Sequence, residues 1–431
     1  MRNTLRWSAV LTGMLLVIAA CTPAGSGSPK ESAASSVVSR GTAKIGVDLP
    51  QSGNEVANGE PTFRGIELAV KEANAAGGVG GYTLEINNQD DAVNGVHNPD
   101  QGATNARTLV ADEAVVGMVG PFNSNVARAE IPITNEAGLA QCSPANTAVD
   151  LTKEGSEAYR PQNPDQLNYF RFAAPDDIQG PAMAAYDYND LGAKTVYILD
   201  DTEAFGAGVA DQFQRAFEGL GGTTVKRDGQ KYSADVDYTS LFNAAKELNP
   251  DVVYFGGTQV TGGGLARKQM VQAGMGDVPF TGPDGIADLG IGGGEGAFIT
   301  LAGVENSHDV YGTVAGVHDL PEGSDFASRF KAEYGKDPGA YSALAYSCTQ
   351  VLIQAIAASA DAASDLAALR AAVREYVFDP ANEYVTELGT VHFTARGDIK
   401  EAFISFYKVD ATAEGGKGAW VYIRQEAFEG N

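Results

Sequence analysis

Three cysteines and four histidines are all that the 431 residues offer toward thiol or metal chemistry. No Cys-x-x-Cys pair and no His/Cys spacing of a zinc site occurs. His97, His308, His318 and His392 are scattered and read as surface or hydrogen-bonded histidines. Catalytic signatures are missing as well: no Gly-x-Ser-x-Gly elbow, no Walker-type phosphate loop and no His-Glu-x-x-His. The expectation is therefore no metal, no cofactor and no enzyme. Positive charge is also short, with 30 Lys and Arg against 55 Asp and Glu and a net charge of −25. That balance excludes nucleic acid and an anionic lipid surface as partners. Past residue 20 no apolar run is long enough for a membrane-spanning helix.

What is present begins with an export signal over residues 1–20. Arg2 and Arg6 precede an apolar run over residues 7–20. The run ends Val17-Ile-Ala-Ala-Cys21, which resembles a bacterial lipobox. That resemblance implies that Cys21 is the first mature residue and carries lipid; ordinary cleavage near Ala20 is the alternative. Residues 21–42 are small and polar and read as a flexible tether. The body is then extracytoplasmic and anchored to the cell membrane through Cys21. Cys142 and Cys348 read as two buried thiols, with a disulfide as the alternative that an oxidising compartment allows.

From residue 43 strands and amphipathic helices alternate, which predicts an α/β protein with doubly wound parallel sheets. The rhythm breaks at a polar insert over 152–166 and then restarts, so two similar lobes are expected. Residues 297–303 read as a strand, after a glycine-rich loop over 290–296. The last strands, from residue 384 onward, read as antiparallel. The apolar runs 114–119 and 138–141 each give way to small hydroxylated residues. Ligands of open α/β sheets bind beyond such strand ends. Ser124 and Thr147 are thus expected side by side at a cleft, Ser124 either capping a helix or binding an anion. Asp90-Asp91 ends the second strand and reads as a pair of solvated turn acids, with a ligand-side role as the alternative.

Taken together, Ile45-Gly-Val-Asp-Leu-Pro-Gln-Ser-Gly53, Phe63-Arg-Gly-Ile-Glu-Leu-Ala69, Asn74-Ala-Ala-Gly-Gly-Val-Gly-Gly81, Gly120-Pro121, Ser143-Pro-Ala-Asn-Thr147 and Phe280-Thr-Gly-Pro-Asp-Gly285 carry a resemblance. The chain resembles the leucine/isoleucine/valine-binding proteins of the type I periplasmic-binding-protein superfamily, extracytoplasmic receptors of ATP-driven (ABC) importers. The resemblance implies two lobes joined by a three-stranded hinge, with ligand in the cleft. It assigns residues 43–173 and 317–388 to the first lobe, 174–316 and 389–431 to the second. It implies that Ser124 and Thr147 hold an amino acid's carboxylate, that the Ala145 carbonyl takes its ammonium, and that Asp284 pairs with that ammonium in place of the usual Glu. Asn58, Phe205 and Thr258 stand where the family usually has aromatic residues, so a differently shaped side-chain pocket is implied. Phe205 as core and Thr258 as a helix cap are the alternatives. The expected partners are a small amino acid, branched-chain or related, and an ABC permease, with the receptor itself a monomer. The other readings are an amide, urea or aromatic acid as ligand, a sensor uncoupled from transport, or an exported enzyme.

Overall fold

The computed structural model describes residues 39–233, 235–289 and 297–430. The export signal, Cys21, most of the tether and the loop 290–296 lie outside the described residues. Among the described residues no helix is long and apolar enough to cross a membrane.

The first sheet is built from strands followed by helices. β1 (Gly41–Leu49) leads to α1 (Val56–Ala75), and β2 (Tyr82–Asp90) to a small ribbon, β3 (Ala92–Val93) with β4 (Val96–His97). Then come α2 (Pro99–Ala111), β5 (Val115–Val119), α3 (Ser124–Glu136), β6 (Gln141–Ser143) and β7 (Tyr169–Arg171). Order across the sheet is β2-β1-β5-β6-β7, and every pairing is parallel. β5 reads Val-Val-Gly-Met-Val and is buried throughout, as a strand covered on both faces must be. Gly120 ends it at φ +125, and a Cβ there would meet the Asp48 carbonyl oxygen at 2.0 Å. Only glycine turns the chain so tightly at this strand end.

The chain then builds a second sheet. α4 (Asp176–Ala185), β8 (Thr195–Asp200), α5 (Ala204–Gly219), β9 (Thr223–Gly229) and α6 (Thr239–Glu247) come first. β10 (Val252–Gly256), α7 (Gly264–Met270), β11 (Phe280–Gly282), α8 (Phe298–Ala302) and β12 (Val310–Val314) follow. After α9 (Phe326–Tyr334), α10 (Ser342–Ser359), α11 (Leu366–Val377) and the hairpin β13 (Tyr384–Thr386) with β14 (Gly389–Val391), two long strands return to it, β15 (Glu401–Asp410) and β16 (Ala419–Glu429). The order is β16-β15-β12-β11-β10-β8-β9, parallel from β9 to β12 and antiparallel beyond. α10 packs on α1, and α11 on α10 and β5, so these late helices cover the first sheet.

One expected strand is a helix. Residues 298–302 form α8, whose Phe298 N–H donates to Asp288 Oδ2 at 2.7 Å and whose end is Gly303 at φ +84. A short apolar run fits a buried helix as well as a strand, and the tertiary environment decides.

The chain passes between the sheets after β7, after β12 and before β15. Arg171 ties two of these passages. Buried completely, its Nε donates to Asp398 Oδ1 at 2.6 Å, its Nη2 to Thr152 Oγ1 at 2.7 Å and its Nη1 to the Ala148 carbonyl at 2.7 Å. The Ala174 N–H donates to the Ala315 carbonyl at 3.3 Å, joining the other passage to the first.

Cys142 on β6 and Cys348 on α10 are joined, contrary to the reading as free thiols. Their Cα atoms stand 5.7 Å apart, across 206 residues of sequence. A strand and a helix far apart in the chain meet only through the fold, so spacing carried no sign of it. Closing so long a loop restricts the unfolded chain. Cys142→Ala with Cys348→Ala is expected to lower unfolding free energy by about 2–5 kcal/mol, read by urea titration.

Candidate functional site

One pocket gathers most of the expected residues. Its lining comes from segments beyond the carboxyl ends of strands: Phe122 to Asn125 after β5, Ala145 and Thr147 after β6, Asp201, Glu203 and Phe205 after β8, Thr258 after β10, and Asp284 and Gly285 after β11. His97 on β4 completes it. Strand ends of both sheets thus face one gap, the place where open α/β sheets bind ligands.

Ser124 is the first residue of α3, after Asn123 at the cap position. Its Oγ accepts the Ala148 N–H at 3.3 Å, which fixes it beside Thr147. Both hydroxyls are buried at the pocket wall. Ser143 Oγ accepts the N–H groups of Ala145 at 3.2 Å and Asn146 at 2.9 Å, shaping the turn between them. Two hydroxyls at a helix start make a wall suited to a carboxylate.

Asp284 forms the opposite pole. Its N–H donates to Gln179 Oε1 at 3.0 Å, and Tyr341 donates its hydroxyl to Asp284 Oδ2. Asp284 Oδ1 is buried with no partner among the described residues. Burial pushes this carboxyl up to about 6, against the hydroxyl donated by Tyr341, which favours its charge. Nearby Asp176, the first residue of α4, is pushed up to about 8, by burial first and then by the Asp284 charge. At neutral pH Asp176 keeps its proton and Asp284 carries the negative charge.

His97 is not a surface histidine. Its Nδ1 lies 2.7 Å from Glu55 Oε1 and its Nε2 3.1 Å from Glu203 Oε2. Burial alone would lower it, but the two glutamates raise it to about 10, so the ring is an imidazolium. Asn125 Nδ2 donates to the same Glu203 oxygen at 3.1 Å. Groups from the first sheet's side therefore hold Glu203, at the start of α5, across the gap.

Thr258 both caps and lines. Its Oγ1 accepts the Thr261 N–H at 3.1 Å, its N–H donates to Thr261 Oγ1 at 2.8 Å, and it faces the pocket. Phe205 faces the pocket rather than the core. Asn58 is buried on α1 and is not part of the pocket lining. The Asp90-Asp91 pair is not solvated: Asp91 is fully buried with neither oxygen partnered among the described residues, and burial and Asp48 push it well above the usual carboxylate range. Only Asp90 acts as a turn acid, accepting the Gln51 N–H at 2.8 Å. His97, Asn123, Asp201, Glu203 and Tyr341 were not singled out from the sequence. No motif marks His97 or Tyr341; for Asn123, Asp201 and Glu203, position just past a strand end was a usable signal.

The periplasmic binding protein family model matches residues 42–411. The Leu/Ile/Val-binding protein BraC3 of Rhizobium johnstonii is 30% identical over 370 residues, 85% of this chain and 91% of that protein. Leu/Ile/Val-binding protein homolog 1 of Brucella suis is 28% identical over 381 residues, covering 88% and 93%. Among solved structures, LivJ of Streptococcus pneumoniae in complex with isoleucine superposes with a TM-score of 0.72 at 22% identity, covering 90% of this chain and 100% of that one. A solute-binding protein of R. palustris in complex with 4-hydroxybenzoate gives 0.71 at 20%, covering 90% and 98%. The match over most of the chain, the two sheets and the pocket at the ends of their parallel strands agree: the chain belongs to the periplasmic binding protein family.

Proposed function

We propose that this protein is the extracytoplasmic substrate-binding component of an ABC importer and captures a small amino acid between its lobes. The single observation that carries the reading is the buried, half-satisfied carboxylate of Asp284 in the same pocket as the hydroxyls of Ser124 and Thr147. A zwitterion needs donors at one pole and a charged acceptor at the other, and both are available. Ser124 and Thr147 take the carboxylate, Asp284 and the Ala145 carbonyl the ammonium. Phe205 and Thr258 border the side chain. An aromatic acid, as in the R. palustris neighbour, would satisfy the hydroxyls and leave the Asp284 charge without a cationic partner. A neutral amide would leave that charge uncompensated as well.

The two sheets form the cores of two lobes, residues 43–173 with 317–388 and 174–316 with 389–431. The passages between them act as a hinge, and closure excludes water around the ligand. Lipid on Cys21 tethers the monomeric receptor to the membrane, where it delivers ligand to a permease. A calorimetric screen of the L-amino acids tests the reading. At least one is expected to bind at about micromolar affinity or tighter. Binding of benzoates or neutral amides with no response to amino acids would contradict it.

The same titration over a pH series has an expected shape. An ammonium needs the ionised Asp284, whose carboxyl sits at about 6. Affinity is therefore full above pH 6 and falls by about tenfold per pH unit below it.

A further inference from the structure

We infer that Tyr341 is a positioning residue for the ligand's ammonium group: its hydroxyl reaches over from the first sheet's side and holds one oxygen of Asp284, leaving the other for the ligand. The inference rests on the amino acid reading of the site. Tyr341 directly precedes α10, which packs on α1 against the first sheet, whereas Asp284 follows β11 of the second. The hydrogen bond to Oδ2 thus joins the first sheet's side to a pocket residue of the second.

Both partners are fixed. The Tyr341 ring is buried and meets Phe122, a pocket residue, edge-on at 5.1 Å and 87°. The Asp284 backbone is held by Gln179 Oε1, which also accepts the Thr313 hydroxyl at 3.0 Å. One carboxylate oxygen is committed to Tyr341, and Oδ1 remains buried without a partner. A buried acceptor left in that state is a place for an incoming donor. Asp reaches one methylene less far than Glu, so its direction has to be set by a neighbour. The phenol does this from the opposite wall, and its donated hydrogen bond also keeps the acid ionised.

Without the hydroxyl, neither side-chain oxygen of Asp284 is partnered in a dry site. The neutral carboxyl is then favoured, and it cannot pair with an ammonium. The titratable groups facing Asp284 are Asp176, Tyr254 and Tyr341 itself, with Arg171 beside Asp176 and Tyr407 beside Tyr341. Tyr341→Phe leaves the others in place and keeps the ring against Phe122.

The test titrates the wild type and variants with the L-amino acid, of the twenty, that binds the wild type tightest, over a pH series. Tyr341→Phe is expected to weaken binding by about tenfold or more at neutral pH. The pH midpoint of affinity should move upward, and Asp284→Glu added to Tyr341→Phe should recover part of the loss, because the longer acid reaches the ammonium unaided. Wild-type affinity in Tyr341→Phe, with binding lost in Asp284→Ala, overturns the inference and leaves the site reading intact. A loss with neither a shifted midpoint nor rescue assigns Tyr341 to packing alone and also overturns it. If no amino acid binds the wild type, or Asp284→Ala binds normally, the amino acid reading itself fails.

Discussion

Asp284→Ala is expected to weaken amino acid binding by about 2–5 kcal/mol, roughly 30- to several-thousand-fold in Kd. The magnitude follows from what the carboxylate faces. Asp284 is buried, its Oδ2 accepts from Tyr341, and its Oδ1 has no partner until a ligand arrives. Its neighbour Asp176 sits at about 8 and is uncharged at neutral pH. The other carboxylate held ionised in the lining, Glu203, already serves His97 and Asn125 through its Oε2. Asp201, at about 7, already accepts the Thr261 hydroxyl at 2.6 Å and the Glu203 N–H at 2.9 Å. Removing Asp284 therefore leaves a buried cation unpaired, which costs more than the lost hydrogen bond alone. Isothermal titration measures it, and a change below about fivefold would remove Asp284 from the ammonium site.

Arg171→Met is expected to lower unfolding free energy by about 3–5 kcal/mol. The guanidinium is fully buried, and it donates to Asp398, Thr152 and the carbonyls of Asn146 and Ala148. Its loss strands the Asp398 carboxylate, whose Oδ2 already has no partner among the described residues. Arg171→Met with Asp398→Leu should recover much of the loss, because a buried pair replaced by apolar groups is often close to neutral. The consequences extend to binding. The two carbonyls that Arg171 holds flank Thr147, so the single variant should loosen that loop and weaken affinity as well. Equal urea midpoints for Arg171→Met and wild type would show that the passages between sheets do not depend on this cluster.

What the sequence disclosed and what it hid divide along a physical line. The parallel strands were legible because burial on both faces leaves runs such as Val115 to Val119 apolar without alternation. Ser124 and Thr147 were found because each lies just past a strand end, whereas Phe205, Thr258 and Asp284 came from the family resemblance; the structure brings all five to one pocket. Asn58 went the other way: a helix position gives the segment, not which face meets the gap. The Cys142–Cys348 bridge, the burial of Asp91 and the clamp on His97 depend on residues distant in sequence, and nothing local announces such pairings. The same holds for Tyr341, which reaches Asp284 only because α10 returns to cover the first sheet. Residues 298–302 were misread for a different reason, since a run as short as Phe-Ile-Thr-Leu-Ala has no period to distinguish helix from strand.

The central claim is that an amino acid lies with its two charged ends at opposite walls of this one gap. A crystal structure of the protein with its tightest-binding L-amino acid tests it most directly. The ligand carboxylate is expected within hydrogen-bonding distance of Ser124 and Thr147, and its ammonium on Asp284 Oδ1. Ligand bound elsewhere, or bound in the reverse sense with its carboxylate toward Asp284, would contradict it.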